Sequence, residues 1–97
     1  MKLEFSRAHA LDLATLKARI ADRVRHYDEK HPRYALSEHY RWVGERDARG
    51  SYRGGEGAVH LGDTEVTITL ELPFFARPFR ARIEDFVRRE FDAVLGA

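Results

Sequence analysis

The chain has 97 residues, room for one domain with one core. Its 43% apolar and 34% charged residues exclude a disordered chain, and seventeen basic against sixteen acidic residues leave no bulk positive charge for nucleic acid. The absence of cysteine removes disulfides, thiolate metal sites and cysteine nucleophiles.

The start, Met1-Lys2-Leu3-Glu4-Phe5, has no long apolar run behind it, so it does not read as a signal peptide. No stretch nears the ~20 apolar residues of a membrane span. The expected setting is a soluble, cytoplasmic domain over residues 1–97. Leu3 and Phe5 alternate with Lys2, Glu4 and Ser6, which predicts a short strand with one buried face. From about 12 to 30 the period changes. Leu13, Leu16, Ile20, Val24 and Tyr27 recur every three or four residues and form one stripe of a helix. Asp12 can cap its first N–H groups, and Pro32 discourages helix at His31.

Residues 28–38 read as a connection, after which Tyr40, Trp42 and Val43 open a β-rich half. Four glycines between Arg49 and Gly57 predict a loop or a strongly bent, bulged strand. The clearest local pattern is Ala58 to Leu72. Val59 and Leu61 precede Gly62-Asp63, and Val66, Ile68, Leu70 and Leu72 follow, so a hairpin is expected with all six residues on one face. Pro73 ends the strand and Pro78 suits a first helical turn. Phe79, Ile83, Phe86, Val87, Phe91, Val94 and Leu95 then form a wide stripe that can cover the hairpin, with Gly96 as the stop. The fold class is α+β: a β-α-β-β-β(-β)-α order, an antiparallel meander with two amphipathic helices packed on one face.

Little in this chain looks like catalytic chemistry. His9, His26, His31, His39 and His60 share no recognised ligand spacing, and no serine lies in a nucleophile elbow, so neither an enzyme nor a metal or other cofactor is expected. His9 sits where the first strand meets the first helix and reads as a hydrogen-bonding group at the helix start. Arg49-Gly50-Ser51-Tyr52-Arg53 has the residue types of an RNA-binding segment, but a bent strand with exposed arginines accounts for it more simply. Trp42 reads as a large core residue. The connector Leu72-Pro73-Phe74-Phe75-Ala76-Arg77-Pro78-Phe79 is dense in phenylalanine. The expectation is that these rings mostly fill the end of the core and that Phe74 or Phe75 is left outside. Phe74, Phe75, Arg77 and Arg80 are thus the candidate hydrophobic interaction surface, an apolar patch with a basic border.

Several of these features together resemble a known family. Arg7 and His9 precede the first helix, Trp42 and Gly44 open the β half, and Gly57-Ala58-Val59 enters the hairpin. Val66-Thr67-Ile68-Thr69-Leu70-Glu71-Leu72 is followed by Ile83-Glu84 and an amphipathic C-terminal helix. In this the chain resembles the polyhydroxyalkanoic acid system family of small bacterial proteins encoded near polyester storage genes. The resemblance implies association with polyhydroxyalkanoate granules, or with a granule protein, and it brings no catalytic residues. Arg7, His9 and Trp42 are matching positions without an assigned role. The leading expectation is a non-enzymatic accessory or binding protein. The alternatives are a carrier of a small apolar ligand, with its cavity between the sheet and the C-terminal helix, and an RNA-binding module. Self-association as a homo-oligomer through the hairpin edge also stays open.

Overall fold

The computed structural model describes residues 1–33 and 35–96. Strand β1 (Lys2–Ala8) leads into helix α1 (Leu13–Lys30), followed by β2 (Tyr40–Trp42), β3 (Asp47–Tyr52), β4 (Gly55–Leu61), β5 (Glu65–Glu71) and helix α2 (Arg80–Leu95). Short 3-10 helices occupy Leu36–Glu38 and Phe74–Phe79. The strands form one sheet in the order β1-β5-β4-β3-β2, with every neighbouring pair antiparallel. From β2 to β5 the chain is a meander, and β1 returns to pair with β5 at the far edge.

Register follows from alternation. Leu3 and Phe5 stand opposite Leu70 and Ile68, Ile68 opposite Val59, and Val66 opposite Leu61, so all share one face. Both helices cover that face: Leu16 of α1 and Val87 and Phe91 of α2 form a buried cluster with Leu61 and Val66. The opposite face carries short polar bridges, including Ser6 to Thr67 at 3.2 Å and His60 to Asp47 at 2.8 Å. Helix α1 begins as the sequence predicts: the Asp12 carboxylate accepts from the Thr15 N–H at 2.7 Å. That bond also holds the Asp12 carboxyl below its ordinary range.

Of the loop and the bent strand expected for the glycine segment, the structure has two paired strands joined by a short turn. Arg53 and Gly54 take positive φ angles of 49° and 83°, and the chain reverses there into a tight hairpin between β3 and β4. Gly50 is needed for another reason. A Cβ at this position would stand 2.7 Å from the His39 carbonyl oxygen, where β2 begins. The final helix also starts later than its stripe suggests, because Phe74–Phe79 winds as a 3-10 helix and the α-helix opens at Arg80.

Antiparallel order gives the molecule two different ends. The Gly62–Thr64 turn, the start of α1 and the finish of α2 lie at one end. The Arg53-Gly54 turn, the finish of α1 and the start of α2 lie at the other.

Candidate functional site

The start of α2 does not bury its aromatic residues. Phe74 is 80% exposed, Phe75 63%, Phe79 52% and Phe86 44%. The sequence expects Phe74 or Phe75 to be left outside; both are, and the expectation that Phe79 fills the end of the core is corrected, with Phe86 of the helix stripe exposed as well. The physical reason is that the buried cluster engages this helix only at Val87 and Phe91, which pack with Leu16, Leu61 and Val66, and no residue of the first turn is buried. Phe74 and Phe75 meet edge to face at 6.0 Å, and the Phe86 ring lies tilted beside that of Tyr27, at 5.7 Å between ring centroids. Of the arginines beside them, Arg80 is tied to Glu84 at 2.9 Å. Arg77 and Arg82 have no ion-pair partner among the described residues.

Beside this aromatic end runs an apolar cleft of about 470 Å³ between the sheet and α1. Its floor includes the directly paired Gly50 and Gly57, which contribute no side chains. Ile20 and Val24 of α1 form the roof, Leu36 and Trp42 one side, and Leu70 and Leu72 the other. The space therefore lies against the first helix rather than the C-terminal one. Leu72 joins the two features, since it lines the cleft and the exposed phenylalanines begin two residues later.

The second half of α1 is tied to α2 by a clamp. Arg23 donates to both Glu90 carboxylate oxygens, at 3.1 and 2.9 Å, and the Tyr27 hydroxyl donates to the same group at 2.7 Å. Burial, reinforced by this hydrogen bond, raises the Tyr27 phenol above its ordinary value. A carboxylate with three donors is well satisfied, so the clamp can hold the helices together without filling the space beneath them.

The remaining sequence candidates are brought into structural contacts. Arg7 forms an ion pair with Asp92, and its guanidinium lies 5.1 Å from the Phe91 ring centre. His9 joins the helix start to the hairpin turn: Nδ1 accepts from the Leu11 N–H at 3.0 Å, which leaves Nε2 to donate to the Gly62 carbonyl at 2.8 Å. Trp42 is half-buried against the core, with the Lys17 ammonium 4.4 Å from its ring centre. Arg49 and Tyr52 point to opposite faces of β3, and Tyr52 meets His39 edge to face. Among the described residues no three histidine or acidic side chains form a metal-sized group, and no helix is long and apolar enough to cross a membrane. Sequence reasoning raised a cavity against the C-terminal helix and could not place it under α1, because its walls come from segments far apart along the chain, such as Ile20, Ala48 and Leu70. The glycines of the floor were the one signal that could have pointed to it.

By class, the protein is an α+β domain that carries exposed aromatic rings beside an apolar cleft. The model of the polyhydroxyalkanoic acid system protein family matches residues 3–95, nearly the whole chain, and the protein belongs to that family. No curated protein and no solved structure matches it.

Proposed function

We propose that the protein is a non-enzymatic accessory component of a polyhydroxyalkanoate system that attaches to the polyester granule through its aromatic end. The observation that carries this reading is the exposure of Phe74 and Phe75, at 80% and 63%, with Phe79 and Phe86 also more than 40% exposed at the same end. Moving one such ring out of water is worth about 2 kcal/mol. One residue cannot hold a protein on a surface, whereas the exposed parts of the four rings together supply about 5 kcal/mol, beyond the ~4 kcal/mol of millimolar affinity. Arg77 and Arg82 suit the polar boundary of such a surface, because their stems can lie along apolar material while the guanidinium stays in water. Family membership supplies the polyester as the apolar phase.

Sedimentation with washed polyhydroxyalkanoate granules tests the reading. The wild-type protein should pellet with the granules. A Phe74→Asp/Phe75→Asp variant, with unchanged melting temperature, should remain in the supernatant. Wild-type protein that stays in solution would sink the proposal.

A further inference from the structure

The geometry points to the cleft beneath α1 as a binding site for a single-chain carboxylate amphiphile, a molecule of the fatty-acid class. This inference is independent of granule attachment, since it uses a different set of residues. The cleft's volume of about 470 Å³ lies within the range of small-molecule sites. At roughly 30 Å³ for each small group, the share of one water molecule, it accommodates one chain of on the order of twelve carbons with space left over.

The lining selects hydrocarbon. Ile20 and Val24 above, and Leu70 and Leu72 beside the floor, offer no hydrogen bond to a polar guest, so burying one there would go uncompensated. The glycine pair keeps the floor open. A Cβ on Gly57 would already stand 3.3 Å from Leu70 Cδ2, and any larger side chain would project into the same face. The clamp at Glu90 supports the roof from the far side and takes no part in the lining.

A charge beside one wall of the cleft argues for an acid. Lys17 stands one turn before Ile20 with its Nζ 4.4 Å from the centre of the Trp42 ring, which itself borders the cleft. Its ammonium spends one donor on the Glu45 carbonyl, at 3.0 Å, and has no carboxylate partner among the described residues. An ammonium carries three donors, so two are free for an anionic head group placed beside Trp42, with the alkyl chain running outward between Val24 and Leu70.

Trp42 is the only tryptophan, which makes its fluorescence a direct reporter. The full-length protein would be titrated with dodecanoic acid brominated next to the carboxyl group, with the isomer brominated at the far end, and with bromoacetate. Quenching should saturate with the first, be weaker with the second, and be absent with bromoacetate at the same concentrations. Equal quenching by bromoacetate would show only an exposed indole and would overturn the site. Val24→Phe and Ile20→Phe fill the cleft from the helix side and should each weaken binding roughly tenfold or more, about 1.4 kcal/mol. The pair guards against one variant failing to fold. Binding unchanged in both, with melting temperatures preserved, would refute the cleft. Lys17→Gln should weaken binding of the acid but not of its methyl ester, and equal affinities for the acid before and after would remove the carboxylate from the proposal. Failure here and failure of granule attachment are separable: Phe74→Asp/Phe75→Asp should quench like wild type, and Val24→Phe should still pellet with granules.

Discussion

Leu61 and Val66 face each other at one end of the β4–β5 hairpin and are sealed there, at 0% and 5% exposure, while four residues further along the same ladder Gly57 and Leu70 border an open cleft. Both pairs lie on the helix-covered face, so the strand pattern does not distinguish them. What differs is what stands opposite. Leu16, Val87 and Phe91 close over the first pair. Over the second, the glycines supply no volume and α1 is held by a clamp to its neighbour. One end of the molecule is thus a packed core, and the other combines a cleft with exposed aromatic rings.

The largest expected effect is a difference in packing cost between the ends. Leu61→Ala should destabilise by about 3 kcal/mol in urea denaturation, because the surrounding side chains cannot collapse into the void. Leu70→Ala should lose only about 1 kcal/mol, since part of its surroundings is already open. Equal losses would erase the distinction.

A smaller effect is expected at the clamp. Glu90→Gln removes the charge that accepts from Arg23 and Tyr27 and should cost about 1–2 kcal/mol, with little change in the melting behaviour expected from the exposed phenylalanines. A loss below a few tenths of a kcal/mol, from the same denaturation curves, would mean that α1 is held by packing instead.

The smallest effects are the opposite pH responses of the two ends. The Tyr27 phenol is raised above 10.0, chiefly by burial, so the folded state holds this proton more firmly than the unfolded one. The stability it contributes is complete below pH 10.0 and is lost as pH rises through the raised value. At the other end, hydrogen bonds from Thr15 hold Asp12 below 3.8, so its contribution is present above pH 3.8 and is lost as pH falls through the lowered value. Melting curves across pH should lose the alkaline decline in Tyr27→Phe and soften the acid decline in Asp12→Ala. A Tyr27→Phe profile identical to wild type would remove the clamp's role in it.

Much of the fold could be read along the chain. The alternation from Ala58 to Leu72 corresponds to β4, β5 and their pairing of Leu61 with Val66, and Asp12 caps the helix it precedes. The glycine hairpin was harder to read, because its turn places an arginine, not only a glycine, at positive φ. Of the candidate surface, Phe74, Phe75 and Arg77 were visible as a dense segment with one ring expected outside, but that both rings and Phe79 are exposed was not, and Arg80 turned out to be engaged with Glu84.

The amino-acid sequence by itself determined which residues form each strand and helix and which side of each is apolar, because those depend on spacing within a few residues. Whether an apolar side chain is then covered depends on what a distant segment places over it. Phe86 and Phe91 belong to one apolar stripe of α2, which the sequence extends back to Phe79, yet of the three only Phe91 is buried. Leu16 of α1 and Leu61 and Val66 of the sheet pack against Val87 and Phe91 and leave Phe86 outside, and only the tertiary structure decided that.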